Sequence, residues 1–309
     1  MKKVIMFVLV FSMLFCGTFS AIHVSAEESS ENETEYLDYE PAYTPMDRIG
    51  QNIGNRAIIG DDDRTDVDDV TVSPYCKIVF VRSFFYYEDQ VFAVRSTGFI
   101  VGPDLIVMSG HALFREFEIG DDIIYLTAGK CFVFLETEGE TSSVQDAESI
   151  EIYVPDEYTD TDNDDRAYYD WGYIIVDEPV GHTQGWFGFG TISSTKSVTV
   201  AGYPENCPEE YVEPGGDNYS YDMYKGTGRA MAHPYNSELL VRHDVDTGVG
   251  QSGAPIYDAS QIVWGIHVRG LTDVDGNGIS ENCNVGIRIN SEIFQLLRTK
   301  KQEGIDKWD

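Results

Sequence analysis

The chain has 309 residues, a formal net charge of -32 and a pI near 4.3. That acidity argues against nucleic acid and anionic membrane as partners. Aromatic residues make up 13%, with 19 tyrosines, which excludes a disordered acidic tail, and the length allows one large or two medium domains with a real core.

Lys2 and Lys3 precede an apolar run, Val4–Phe15, and Val24-Ser25-Ala26 then supplies small residues for cleavage. This reads as a signal peptide over 1–26. The run is too short, and too polar from Gly17 on, for a membrane span. Secretion is expected, with no membrane contact after cleavage; a retained anchor is the alternative. Residues 27–56 open on an acidic stretch and carry no apolar periodicity. They read as a propeptide, with an ordinary flexible tail as the alternative. Beyond the signal peptide lie Cys76, Cys131, Cys207 and Cys283. An even number in a secreted chain suggests two disulfides with three connectivities open, of which Cys76–Cys131 with Cys207–Cys283 is favoured. No Cys-x-x-Cys spacing points to zinc.

From Tyr75 onward the chain reads as short aromatic and β-branched strands between Gly, Asp and Pro turns. The first set is Cys76–Val81, Val91–Val94, Phe99–Val101, Leu105–Met108, Ile123–Leu126, Cys131–Leu135, Ile150–Val154 and Tyr173–Val176. The second is Val198–Ala201, Met223–Gly228, Leu239–Val245, Pro255–Tyr257, Ile262–Ile266 and Val285–Ile289. This pattern predicts an all-β sandwich or barrel architecture in two units, linked near Pro179–Thr191. One helix is expected over 290–303: Asn290 caps it, and Ile293, Leu296 and Leu297 share a face.

The stretch Thr247-Gly-Val-Gly-Gln-Ser-Gly-Ala-Pro-Ile256 sets a lone serine between glycines ahead of an apolar strand. Glycine lets backbone approach a substrate closely. The amides of Gly250 and Ser252 are candidate oxyanion donors beside the Ser252 hydroxyl. Such a serine needs a base, and the base an orienting group. Of six histidines, His111 follows an apolar strand and has small neighbours, Ser109-Gly110-His111-Ala112, that leave its ring accessible. Asp170 enters a hydrophobic strand between aromatics, where an unpaired carboxylate is costly. A histidine donor would satisfy it and fix the ring tautomer. Taken singly, a structural histidine and a turn aspartate are the alternatives.

With His111, Asp170 and Ser252 in that order, the sequence resembles the chymotrypsin-like serine peptidases, and among them the bacterial glutamyl endopeptidase (V8-like) branch, over roughly residues 57–295. Ile58-Ile-Gly-Asp-Asp-Asp-Arg-Thr65 also resembles the start of mature enzymes of that branch. The resemblance implies two six-stranded antiparallel β-barrels with the site between them: an N-terminal barrel over about 66–185, a C-terminal barrel over about 190–290, and the helix after them, within a peptidase domain of 57–309. It assigns the nucleophile to Ser252, the base to His111, the orienting acid to Asp170 and the oxyanion donors to Gly250 and Ser252. The specificity pocket would involve Thr247, His267, Val268 and Gly270, with His267 fifteen positions after the serine. A histidine and a hydroxyl both suit a carboxylate, so cleavage after Glu, or Asp, is expected. Two residues depart from the pattern. Arg269 stands where a small or aromatic residue is usual. Asp246, six before the serine, would select Arg or Lys if it pointed into the pocket, which keeps trypsin-like or relaxed specificity as the alternative. A non-catalytic binding module is the remaining one. Cleavage after Arg56 would free Ala57 as the mature terminus.

Asp273-Val-Asp-Gly-Asn-Gly-Ile-Ser-Glu281 has the front half of a calcium loop, with Asp273, Asp275 and Asn277 as ligands, but Asn284 stands where the closing glutamate belongs. An Asp/Asn-rich hairpin loop is the alternative. Asp160, Asp162, Asp164 and Asp165 read as a solvated acidic loop. The chemistry requires no cofactor. Protein or peptide substrates are the expected partners, and a monomer the expected state.

Overall fold

The computed structural model describes residues 37–38, 58–119, 122–138, 145–205, 221–234, 236–271 and 283–309. Twelve of its strands form two closed antiparallel barrels. The first contains β1 (Ile78–Tyr87), β2 (Gln90–Ile100), β3 (Leu105–Met108), β4 (Lys130–Phe134), β5 (Ala147–Tyr153) and β6 (Gly172–Val176). They run β2-β1-β4-β5-β6-β3, and β3 closes on β2. The second contains β7 (Lys196–Gly202), β8 (Tyr224–Ala232), β9 (Leu240–His243), β10 (Pro255–Tyr257), β11 (Ile262–Leu271) and β12 (Cys283–Arg288). They run β11-β10-β7-β8-β9-β12, and β12 closes on β11.

Side-chain alternation explains why so many strands read as unbroken apolar runs. On β1, Val79, Val81 and Phe85 fill the first barrel, while Ile78 and Phe80 face the second. On β3, Ile106 and Met108 point in, and Leu105 and Val107 point across. The second barrel does the same with Val198 and Val200 inside against Ala201 across, and Ile256 inside against Tyr257 across. Strands buried on both faces lose the apolar–polar alternation of a half-exposed sheet. The shared seam also takes Trp171, Phe187, Tyr203, Met223 and Val268.

The helix α1 (Ser291–Trp308) starts on the seam and ends on the first barrel. Asn290 accepts from the Ile293 amide at 3.0 Å, as a capping residue should. Ile293 and Leu297 enter the seam. At the far end Asp104, 1% exposed, receives Lys307 Nζ at 3.0 Å and Trp308 Nε1 at 2.7 Å. A side chain at Gly304 would strike Asp104 Oδ1 at 2.5 Å, so the helix approaches this closely only through glycine.

The sequence reading needs several corrections. The helix runs five residues past 303. Val91–Val94 and Phe99–Val101 are one strand, β2, joined to β1 by a two-residue turn in which Glu88 has φ 51°. Ile123–Leu126 belongs to neither barrel; within Asp122–Thr127 it pairs with Phe114–Ile119 in a separate hairpin. Cys76 and Cys131 do not form the expected bridge. Cys76 sits in the turn Tyr75–Lys77 and contacts the Gln184 carbonyl at 3.4 Å; Cys131 lies inside the first barrel, 3.4 Å from Ser83 Oγ. Cys207 of the other pair lies outside the described residues, as do Asp273, Asp275 and Asn277 of the calcium loop and the boundary at Arg56. The 160–165 loop folds on itself, Asp160 accepting from the Asp162 amide and Asn163 from the Asp165 amide. Among the described residues no cluster of His, Cys, Asp and Glu could hold a metal ion, and no helix is long and apolar enough to cross a membrane.

Candidate active site

His111 and Asp170 meet at the end of the first barrel. His111 occupies the single turn Gly110–Ala112 directly after β3, and Asp170 ends the turn Arg166–Tyr169 directly before β6. Because β3 and β6 are paired, Met108 opposite Gly172, these loops emerge side by side. Asp170 is 4% exposed and grips His111 twice. Its Oδ1 accepts from the His111 amide at 2.7 Å, and its Oδ2 lies 2.8 Å from Nδ1. Two contacts fix both the backbone and the ring, with Nδ1 toward the carboxylate and Nε2 on the other side of the ring. A Cβ at Gly110 would come within 2.9 Å of the Trp171 amide, so the approach depends on glycine there.

Ser252 is delivered from the second barrel. Gly253 has φ 91°, a conformation only glycine adopts readily, and a Cβ there would meet Thr97 O at 2.0 Å and Ser109 N at 3.0 Å. Thus the residue after the serine lies against the backbone two positions before His111. The Thr97 amide donates to Ser252 O at 3.0 Å, and the Gly253 amide donates to His267 O at 2.7 Å. The Ser252 hydroxyl is partly exposed and donates to the Val268 carbonyl at 3.3 Å. Gly250 has φ 90°, and its carbonyl accepts from Thr97 Oγ1 at 2.9 Å. With that carbonyl turned into the protein, the Gly250 and Ser252 amides find no acceptor among the described residues.

Strand β11 carries His267, Val268 and Gly270, with an irregularity in register between His267 and Arg269. Thr247, 3% exposed, and His267, 2% exposed, are both buried. His267 is not alone: its Nδ1 lies 3.1 Å from Nε2 of His243, and the two rings are 5.1 Å apart, edge to face. Burial holds His267 neutral, well below the usual histidine range, with the neighbouring His243 and His111 charges acting in the same direction. Burial likewise pushes His243 down to about 3. Asp246 is turned onto the Ile59–Asp63 segment. It is 3% exposed and accepts from the Ile59 amide at 2.6 Å and the Asp63 amide at 3.1 Å. Desolvation raises its pKa, although these two donors pull it back down.

No family model matches the chain. It is 27% identical over 253 residues to the glutamyl endopeptidase of Bacillus licheniformis, across 80% of this chain and 69% of that protein. That likeness supports a serine endopeptidase. The peptidase is also 24% identical over 291 residues to a Bacillus subtilis protein named extracellular metalloprotease, across 91% of this chain and 81% of that one. A solved structure of a Glu endopeptidase in complex with MPD superposes with a TM-score of 0.57 at 23% identity, covering 79% of the peptidase and 99% of that chain. This last likeness concerns the fold.

Sequence reasoning about the peptidase missed three residues that touch the site. His243 has no role in the sequence reading, yet it is 2% exposed and stands directly behind His267. The signal was available: Leu240, Val241 and His243 lie on one short strand whose apolar members are buried. Thr97 lies just before the expected strand Phe99–Val101, and Arg64 enters only within a resemblance. Both are polar residues whose burial, 0% and 8% exposed, no local pattern announces.

Proposed function

We propose that the protein is a secreted serine endopeptidase that works through His111, Asp170 and Ser252 and prefers Glu, or Asp, before the scissile bond. The observation that carries the first part is the double contact of Asp170 on His111, set against the glycine loop that presents Ser252. In this reading a rotation about the Ser252 Cα–Cβ bond moves the hydroxyl from the Val268 carbonyl to His111 Nε2. The ring takes the proton as the oxygen attacks the substrate carbonyl, and Asp170 stabilises the imidazolium that results. The Gly250 and Ser252 amides receive the developing oxyanion; one such donor is typically worth about 2.7–4 kcal/mol. His111 then protonates the leaving amine, and water repeats the sequence on the acyl-enzyme.

The preference for an acidic residue rests on the buried His243–His267 pair. When His243 Nε2–H donates to His267 Nδ1, the His267 proton sits on Nε2 and is free to meet a carboxylate, with Thr247 as a second donor. The trypsin-like alternative needs Asp246 in the pocket, but its carboxylate is already occupied by the Ile59 and Asp63 amides. Secretion is supported by the leader over 1–26 and by the extracellular naming of the Bacillus subtilis relative. The test is a peptide library varied only before the cut, alongside labelling by a serine-directed phosphonate. Cleavage after Glu and labelling lost in Ser252→Ala are expected. Faster cleavage after Arg would reject the preference, and labelling that survives the substitution would reject the nucleophile.

A further inference from the structure

We propose that Arg64 is a positioning residue for catalysis, holding the oxyanion loop in shape through Gln251. The proposal rests on the serine-peptidase reading above. Gln251 immediately precedes the nucleophile and is wholly buried. Its side chain folds back into the turn that carries Gly250. Oε1 accepts from the Gly248 amide at 2.8 Å, and Nε2 donates to the Tyr224 carbonyl on β8 at 3.1 Å. The Gln251 amide closes the same turn on Gly248 O at 3.1 Å. The remaining lone pair of Oε1 takes Arg64 Nη1 at 3.3 Å.

Arg64 is built to make that contact. Asp62 holds its guanidinium by a fork, Nε to Oδ1 at 2.9 Å and Nη2 to Oδ2 at 2.8 Å, which fixes the plane and aims Nη1. The segment itself is pinned by Asp246, which accepts the Ile59 and Asp63 amides. Gly248 supplies an independent sign. A Cβ there would sit 2.4 Å from Arg64 Nη1 and 3.2 Å from Pro204 Cβ, so the arginine fills the space where a side chain would be. The loop is thereby backed from two sides, by Thr97 of the first barrel on Gly250 O and by Arg64 on Gln251. Without Arg64 the turn keeps its backbone bond but loses the wedge that sets the direction of the Gly250 amide.

The test uses the mature secreted protein with Arg64→Met, Gln251→Met, the double substitution and Gly248→Ala. Each is assayed for kcat and KM on a Glu peptide, normalised to sites titrated by the phosphonate, at a temperature where circular dichroism shows it folded. Arg64→Met is expected to lower kcat per titrated site roughly 10- to 100-fold, the scale on which small misplacements act, with KM changed less than threefold. The double substitution should cost little more than either single one, because the two residues act as a unit. Gly248→Ala, which displaces Nη1 without removing a charge, should reproduce the loss and keeps the test open if Arg64→Met does not fold. Unchanged kcat in Arg64→Met or Gly248→Ala, or losses that multiply in the double variant, overturn the proposal. If the unsubstituted protein is not labelled at Ser252, the enzyme reading fails, and this proposal falls with it.

Discussion

Binding an acidic side chain should draw a proton into the His243–His267 pair. Unliganded, His267 is neutral because it is buried. A Glu carboxylate placed about 4 Å from Nε2, at an effective dielectric of about 20, would favour the imidazolium by about 4 kcal/mol, or about three pH units. Against this stands the burial that holds His267 well below the usual histidine range, and His243 must then accept at Nε2 and carry its own proton at Nδ1. Uptake should therefore be small at pH 8 and rise toward one proton as pH falls. Calorimetry on Ser252→Ala measures it, comparing the binding heat of a Glu peptide in phosphate and in Tris between pH 6 and 8. A Gln peptide should show no buffer dependence. Equal heats in both buffers for bound Glu peptide across that range would refute the idea that this pair answers the substrate charge.

Other outcomes follow from the same geometry. The buried pair should make the protein acid-sensitive. Both histidines have lowered folded-state values, so their stability contribution is present above the unfolded value of about 6.5 and is lost as pH falls below it, by about 2 kcal/mol per histidine between pH 7 and 5. Urea midpoints should show His243→Phe losing about half of the pair's share of that dependence, and an unchanged slope would count against it. Thr97→Val removes the donor to Gly250 O and the acceptor of the Tyr203 amide; it should cost about 1–3 kcal/mol of stability and lower kcat more than it raises KM. Asp246→Asn should lower stability by a similar amount, since one of its two amide donors would then meet an N–H, while the ranking of residues before the cut stays as it was; a loss of Arg cleavage would restore the trypsin-like reading. Asp170→Asn should reduce kcat about 10⁴-fold with the fold intact, read from hydrolysis of the preferred peptide.

How much was legible depends on whether polarity and burial agreed. The barrel strands were readable because Val, Ile and Phe on both faces left no ambiguity, as in β1 and β3. Phe114–Ile119 was missed because Arg115 and Glu116 interrupt its apolar residues, yet both are buried, at 3% and 5% exposed, with Glu116 accepting from Tyr125. His111, Asp170 and Ser252 are proposed from their flanks: small residues, aromatics and glycines that only a crowded backbone requires. Their supports are not, because Arg64 and Gln251 lie 187 positions apart and meet through a contact that leaves no periodic trace. The Cys76–Cys131 pairing went wrong for a related reason. Sequence counts thiols but does not know which side of a barrel wall each one faces.

The apolar seam between the barrels has a bearing on how the molecule comes apart. Ile78, Phe80, Leu105 and Val107 from one half and Tyr257, Val263, Ile266 and Ile287 from the other belong to one continuous cluster. Severing the halves would bare that surface on each, so neither is an autonomous folding unit and calorimetric melting should be a single event. His111 and Ser252, delivered from opposite banks, would then share one fate: catalytic competence and global order vanish at the same temperature, with no half-active intermediate between them.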